Sequence, residues 1–196
     1  YYLHFFLIEN TKIIDLRENH WIIGGLQTYF IIKYIEQFHP DQKYLGRIAN
    51  FKLMKAYNIS KIKFNESFFM YYELMERTNL QQSDLLSKDK LIKFNERYGS
   101  PYHVGIGLRY LEEYIGEDFF IALDEYLNDS KKNNFIDILK THSDKKIDWF
   151  YDDYLFKRNS IDLKIKSVKR NNDSLSIKIK KSSTSKIPFN ISQIKN

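Results

Sequence analysis

The side chains that could do chemistry in this sequence are few and widely spaced. The chain has no cysteine, which excludes disulfide scaffolds, thiolate metal sites and cysteine nucleophiles. Neither a glycine-rich phosphate loop nor a G-x-S-x-G nucleophile turn is present. A Ser-His-Asp triad is defined by geometry, so spacing alone does not predict one. Taken singly, each of the five histidines is typical of a surface or structural residue: His4, His20, His39, His103 and His142.

One run has a more specific pattern. Residues 20–36 read HWIIGGLQTYFIIKYIE. This run resembles the second zinc helix of aminopeptidase N-type gluzincins, which are thermolysin-like zinc metallopeptidases. In that family a W-L-N-E-G-L-A-T-Y-like pattern supplies the third zinc ligand, and here Gly24 stands at the ligand position. The rest of the pattern is kept by five residues: Trp21, Gly25, Leu26, Thr28 and Tyr29.

The resemblance continues along the chain. Residues 100–127, which begin SPYHVGIGL, are similar to a helix of the family whose tyrosine hydrogen-bonds the developing oxyanion. Tyr102 occupies that position, between Pro101 and Gly105. Residues 147–165, which begin IDWFYDDYL, resemble the end of the helical domain before the next β domain. The resemblance covers essentially the whole chain and is strongest to bacterial envelope members.

The departures from the family concern the zinc ligands. In H-E-x-x-H, two histidines at i and i+4 share one helix face and bind the metal together. The second histidine precedes the glutamate ligand by 19 residues, which places it at Phe5, the first histidine at Tyr1 and the general base at Tyr2. A catalytic zinc needs three protein ligands and an open position for water. We therefore expect no zinc at Tyr1, Phe5 and Gly24, no family-type catalysis and no cofactor.

Aromatic bulk is expected where the zinc site would be. We expect Tyr1, Tyr2 and Phe5 to fill the vacated cavity, because burial of aromatic side chains is favourable. Gly24 and Tyr102 are then expected to line the same cleft as Tyr1 and Phe5. Without a metal, Tyr102 has no zinc-bound intermediate to stabilise.

A rebuilt metal site is the first alternative. His4 and His20, with Glu9 or Glu18, are the nearby residues that could bind zinc in a rearranged active metallopeptidase. However, His4 is turned by about 100° from Phe5 on a helix, so we expect it to point elsewhere.

Charge and periodicity divide the chain in two. Residues 157–196 contain eleven basic and two acidic residues, a net of +9. The total is +6, so residues 1–156 carry −3. Apolar residues recur at helical spacing in the first part and alternate with period two in the second. This predicts a mainly α protein: a gluzincin-like helical domain at 1–156, corresponding to the C-terminal part of a thermolysin-like domain, and the start of a basic antiparallel β-sandwich-like domain at 157–196.

Capping and breaking residues predict the elements. Proline cannot continue a helix, so His39-Pro40 ends one that begins near His20. Gly116 ends another. Gly99-Ser100-Pro101 is predicted as a turn, Asn65 as an N-cap, and Asn171-Asn172-Asp173 as a hairpin turn. Pro188 predicts an edge strand or loop. The remaining predicted helices are 42–57, 66–77, 85–97, 102–115, 117–128, 134–142 and 146–155.

The expected function is that of a pseudo-peptidase. A catalytically inactive aminopeptidase-like domain would act as a binding or scaffolding module for peptide or protein partners in an envelope complex. The resemblance implies a periplasmic or cell-surface location and a larger parent protein. No transmembrane segment is predicted. A second alternative is polyanion binding by the basic C-terminal segment, although lysines that alternate with Leu and Ile are typical of a solvated sheet face, so we expect no nucleic-acid partner.

Overall fold

A computed structural model describes residues 2–11, 15–128, 134–159, 163–171, 174–182 and 184–189. The chain divides into two compact units, Tyr1–Lys146 and Ile147–Asn196. The first unit is helical, and the second contains a two-stranded antiparallel sheet. The predicted mainly α class with a small antiparallel sheet is therefore confirmed. The domain boundary at 156/157 rests on charge and periodicity and stays a prediction.

The α-helices of the described residues are numbered in chain order. Short 3₁₀-helices lie at Gly46–Asn50, Asn58–Lys61 and Lys88–Lys90, and π-helical turns at Asn95–Gly99 and Phe150–Phe156. The α-helices are α1 (Tyr2–Thr11), α2 (His20–Phe38), α3 (Lys52–Lys55), α4 (Glu66–Arg77), α5 (Ser100–Ile115), α6 (Glu117–Asn128) and α7 (Phe135–His142).

Where a breaking or capping residue is strong, the predicted boundaries are confirmed. Helix α2 ends directly before His39-Pro40, and Gly116 follows α5 with a φ of +76°, which an L side chain rarely adopts. Asn134 caps α7 by accepting a hydrogen bond from the backbone N–H of Ile136 at 3.0 Å. Helix α4 begins as predicted, but Asn65 does not cap it, because its Nδ2 donates to the carbonyl of Ile32 instead.

The predicted helix at 42–57 is wrong. Gly46 has a φ of +54° in the left-handed region, so a single helix cannot run through it. The segment instead forms two short helices, Gly46–Asn50 and α3, and a third follows at Asn58–Lys61.

The predicted helix at 85–97 and the turn at Gly99-Ser100-Pro101 are also wrong. Before residue 93, Gln82 holds the chain in a loop by accepting from the N–H of Ile92 at 2.8 Å and donating to the carbonyl of Lys90. From residue 93 the chain is helical, and Asn95–Gly99 continues directly into α5. A Cβ at Gly99 would lie 2.3 Å from Oδ1 of Asn95, so a larger residue there would require the buried Asn95 side chain to shift. Pro101 lies in the first turn of α5, where its missing N–H is tolerated.

The core of the first unit forms where α2 packs on α5. Leu26 of α2 and Leu108 and Leu111 of α5 have no exposed surface. The ring of Phe119 in α6 packs at a tilt against that of Tyr29 in α2, with ring centroids 5.3 Å apart. A buried leucine or phenylalanine side chain contributes roughly 1.5–3 kcal/mol each, so this layer accounts for much of the unit's stability.

The second unit has its own polar anchor. Strands β1 (Leu163–Asn171) and β2 (Ser174–Lys181) pair in antiparallel register, as the alternation predicts. Asp153 accepts from the backbone N–H of Lys186 at 2.7 Å and from Nζ of Lys157 at 3.0 Å. Burial acts to raise the pKa of Asp153, but these two donors together hold it below its usual range. The carboxylate therefore ties the π-helical turn Phe150–Phe156 to the segment after β2.

Three further predictions concern this unit. The predicted helix at 146–155 is replaced in part by the π-helical turn Phe150–Phe156. Residues 172 and 173 of the predicted hairpin turn lie outside the described residues, and Pro188 lies in a loop. Of the helices in the described ranges, none is long and apolar enough to span a bilayer.

Candidate functional site

A cleft of about 450 Å³ opens in the first unit between α1, α2, the start of α5 and the segment 88–97. Its size is typical of ligand pockets, which range over roughly 300–1,000 Å³. One part of its wall is apolar and the other carries polar and charged side chains. The apolar lining is Ile8, Leu16, Ile23, Ile31 and Pro101, and the polar lining includes His4, His20, Gln27, Thr28, Lys88, Glu96, Arg97 and Tyr102.

Two glycines let α2 and α5 approach each other closely beside the cleft. A Cβ at Gly25 would lie 2.2 Å from Cγ1 of Val104, and a Cβ at Gly105 would lie 2.5 Å from Cβ of Thr28. Real Cβ atoms do not come so near, so each helix has a glycine where the other presents a β-branched side chain. This crossing fixes α2 and the first turn of α5 as one rigid surface.

Gly24 and Tyr102 both lie on this surface and both line the cleft. A Cβ at Gly24 would be 3.1 Å from Cγ of Pro101, so a larger side chain there requires the neighbouring atoms to shift by a few tenths of an ångström. This close contact between α2 and Pro101 favours glycine at this position.

Tyr102 belongs to an aromatic cluster beside the cleft. Its ring packs edge-on against Phe68 and Tyr71, with centroids 4.8 Å and 5.4 Å away. Burial, followed by the neighbouring Tyr98 and Tyr44 hydroxyls, raises the pKa of Tyr102 above its usual range. Its hydroxyl is therefore a neutral hydrogen-bonding group at physiological pH.

Helix α1 presents a different face to the cleft from the one expected. Tyr2 and Phe5 are 85% and 66% exposed, whereas His4 and Ile8 line the cleft. The buried residue Leu7 explains the rotation, because His4 and Ile8 lie beside it on the helix surface and Phe5 lies nearly opposite. The structure thus differs from the expected filling of the cavity by Tyr2 and Phe5, and His4 does not point elsewhere. Tyr1 lies outside the described residues.

His20 brings an unpaired nitrogen to the cleft. Its Nδ1 lies 3.2 Å from the carbonyl oxygen of Arg17, which fixes the proton on Nδ1 and leaves Nε2 as an acceptor. Nε2 is buried and has no hydrogen-bond partner among the residues that the structure describes. Burial lowers the pKa of His20 below its usual value, and the carbonyl of Arg17 opposes this shift in part. A neutral imidazole with a buried, unpaired acceptor therefore lies in the cleft wall.

The charged side of the cleft is built by the π-helical turn. The Glu96 carboxylate forms ion pairs with two lysines. Its Oε2 lies 2.7 Å from Nζ of Lys93, and its Oε1 lies 3.6 Å from Nζ of Lys88. The hydrogen bond from Lys93 is the main reason why the pKa of Glu96 is below its usual value. The adjacent Arg97 is exposed and has no ion-pair partner within the described ranges.

The residues present do not fit the zinc that the resemblance implies. Phe5 and Gly24 carry no donor atom, and Pro101 fills the space beside Gly24. His4, His20 and Glu96 line the same cleft, yet in the described part of the chain no group of three or more His, Asp or Glu side chains is arranged to hold a metal. Glu9 and Glu18 are not part of the cleft lining.

A second polar pair lies near the cleft and escaped the sequence analysis. Nδ1 of His103 is 2.6 Å from Oδ2 of Asp84, and the two side chains are 3% and 0% exposed. The ring of Tyr72 stacks on the imidazole at 5.1 Å. Asp84 thereby attaches the loop before residue 93 to α5, and His103 has the structural role that a single histidine usually has.

Sequence reasoning located part of this site. It identified Gly24 and Tyr102, which the structure brings together, but missed the contributions of Glu96, Arg97 and His4. The spacing of His4 and Ile8 with Leu7 was a usable signal, since the three make one helical stripe. The π-helical turn that carries Glu96 and Arg97 has no comparable sequence signal. Comparisons with family models, curated proteins and solved structures found no match to this chain.

Proposed function

We propose that this chain is a catalytically inactive, aminopeptidase-like domain that binds a peptide or an extended protein segment in the cleft between α1, α2 and α5. One observation carries the proposal: Gly24 and Tyr102 line the same cleft. In the gluzincin resemblance these are the positions of the third zinc ligand and of the oxyanion-binding tyrosine. We therefore propose that the chain keeps the cleft of the gluzincin family but has other residues in place of the zinc ligands.

The residue types argue against hydrolysis by the family's mechanism. That mechanism depends on a metal held by two histidines and a glutamate, with a bound water as nucleophile. Phe5 and Gly24 supply no ligand atom, and Tyr2 replaces the general base. Tyr102 is left as a neutral hydroxyl with no metal-bound intermediate to stabilise.

The chemistry of the walls suits a peptide. Extended peptides present alternating N–H and C=O groups together with side chains, so they need both hydrogen-bonding groups and apolar surface. Gln27 and the Tyr102 hydroxyl can pair with these backbone groups. Ile23 and Ile31 offer apolar wall beside them.

Binding can be tested by filling the cleft. A peptide selected from a random heptapeptide display library on the purified chain would be measured by fluorescence anisotropy. Gln27→Trp fills the cleft from α2 and should weaken binding at least about tenfold. Gln37→Trp is the matched control, because it makes the same change on the same helix outside the cleft lining. Equal affinity for both variants would overturn the proposal.

A rearranged zinc site is a second candidate because His4 and His20 line the same cleft. Metal analysis of the purified chain, combined with an aminopeptidase assay, separates the two candidates. We expect neither stoichiometric zinc nor turnover. Zinc and turnover that both disappear in His4→Ala and His20→Ala would replace the binding proposal with the active metallopeptidase.

A further inference from the structure

The chain between α2 and α4 forms a segment whose two ends are joined by backbone hydrogen bonds. Lys43 and Lys63 form an isolated antiparallel bridge at its base. Two backbone hydrogen bonds close it, from Tyr44 N to Ile62 O at 2.9 Å and from Phe64 N to Gln42 O at 2.8 Å. We call residues 43–63 the basic apolar segment. Its three short helices, Gly46–Asn50, α3 and Asn58–Lys61, pack on one another.

The basic apolar segment is unusually exposed for its composition. Of residues 46–61, only Ala49 and Ser60 are buried. The apolar side chains with the most exposed surface are Leu53 at 73% and Phe51 at 64%. Tyr57, Ile48 and Ile59 are exposed in the same stretch. Grouped apolar exposure of this kind marks an interaction surface more often than scattered single residues do.

The charge of the segment has one sign. Six basic residues lie between Asp41 and Glu66, and no acidic residue does. Lys63 pairs with Asp41 at 3.4 Å. The other five cations have no ion-pair partner in the described part of the chain: Lys43, Arg47, Lys52, Lys55 and Lys61.

We propose that the basic apolar segment binds the surface of an anionic lipid bilayer, with Phe51 and Leu53 inserted at the headgroup boundary and the lysines around them contacting lipid phosphates. Exposed apolar side chains within a cationic surface are the combination that interfacial binding requires. The ends of the segment are fixed by the bridge at its base, so it can meet a bilayer without unfolding the helical unit. A single-stranded nucleic acid fits less well, because only Phe51 and Tyr57 among the five exposed apolar side chains carry a ring on which a base can stack.

The test is co-sedimentation of the 196-residue chain with vesicles. Vesicles of phosphatidylcholine mixed with phosphatidylglycerol should bind it, binding should fall as salt is raised, and pure phosphatidylcholine should bind it weakly. The double variant Lys52→Glu with Lys55→Glu should lose about twentyfold or more, given about fivefold per basic residue near an anionic surface. The double variant Phe51→Ser with Leu53→Ser should lose about tenfold or more through its apolar contribution.

Two control variants match these changes elsewhere. Lys178→Glu with Lys180→Glu reverses two exposed charges in β2, and Phe120→Ser with Ile121→Ser removes two exposed apolar side chains from α6, whose charged residues are all acidic. Both controls should bind vesicles like the parent chain. Circular dichroism and thermal unfolding establish that each variant is folded.

Any of four results would overturn the proposal. They are equal binding to pure phosphatidylcholine, unchanged binding of both segment variants, loss confined to the β2 variant, and tighter binding of a fluorescent single-stranded RNA than of the vesicles. Light scattering tests whether a second copy of the chain occupies this surface. A dimer of the parent chain that the Phe51 and Leu53 variant dissolves would assign the surface to a second copy instead.

Discussion

The α2–α5 crossing and the basic apolar segment contain similar apolar residues, but these are buried in the crossing and exposed in the segment. In the crossing, Leu26, Leu108 and Leu111 are fully buried. In the segment, Phe51 and Leu53 are mostly exposed. Two glycines let the crossing close to van der Waals contact, whereas the glycine of the segment, Gly46, has nothing within 4 Å of its Cβ position. Helical periodicity therefore predicts burial only where a second surface fits.

The largest effect expected from the loss of a polar contact is at the buried pair of Asp84 and His103, which attaches the loop before residue 93 to α5. Asp84→Ala removes the partner of the buried His103, so the free energy of unfolding should fall by about 3 kcal/mol. Urea denaturation followed by circular dichroism measures it. Asp89→Ala is the control, because its ion pair with Arg17 is exposed and should change stability by about 0.5 kcal/mol or less. If both variants lower the free energy of unfolding equally, the pair of Asp84 and His103 does not stabilise α5.

The next effect concerns the glycines themselves. Gly105→Ala places a Cβ against Thr28, and overpacking of this kind lowers the free energy of unfolding by about 2 kcal/mol even though alanine favours the helix. Gly46→Ala meets no atom and should lose only about 1 kcal/mol, through its left-handed φ. If Gly105→Ala is the milder change, the close crossing is not what distinguishes the two regions.

A smaller effect is expected at the hydrogen bond that joins the two helices. The Tyr29 hydroxyl donates to Glu112 at 3.0 Å, and Lys33 reaches the other carboxylate oxygen at 2.7 Å. Tyr29→Phe keeps the ring packing and should lower the free energy of unfolding by about 1 kcal/mol. Tyr34→Phe is the control on the same helix, since Tyr34 is exposed and should be neutral. A neutral Tyr29→Phe would assign the stability of the crossing to packing alone.

The sequence predicted the elements that local residues determine. The ends of α2 and α5 were predictable because proline cannot continue a helix and glycine favours the position directly after its last turn. The break of the helix expected at 42–57 was not, because glycine tolerates both a helical φ and the φ of +54° that Gly46 adopts. The loop before residue 93 depends on Gln82 and its contacts ten residues away.

The residues of the candidate site likewise divide into those that the sequence identified and those that it did not. Gly24 and Tyr102 were identified through the family resemblance, and both line one cleft. The face that α1 presents was not identified, because the resemblance placed Phe5 towards the cleft, whereas Leu7 is buried and His4 lines the cleft. Phe5 and His4 are about 100° apart around the helix axis, so the packing of Leu7 determines which of them lines the cleft.

The pH response of His20 tests whether the cleft behaves as part of the buried region. Burial lowers its pKa below 6.5, so folding favours the neutral imidazole. Its contribution to stability is therefore complete above pH 6.5 and is lost as the pH falls towards the lowered pKa. NMR titration of the His20 ring should give a midpoint below 6.5. A midpoint at or above 6.5 would contradict a buried cleft wall.

The smallest effect is expected in the basic apolar segment. Leu53 is 73% exposed, so Leu53→Ser removes little buried surface and should change the free energy of unfolding by about 0.5 kcal/mol or less. Leu108→Ser, the same substitution at a fully buried position of α5, should lower it by about 3 kcal/mol or more, because it leaves a cavity and buries a hydroxyl. Urea denaturation of both variants measures the two changes in the free energy of unfolding. A large loss for Leu53→Ser would mean that the segment packs on the unit in solution, and the apolar surface proposed to meet a bilayer would then belong to the core.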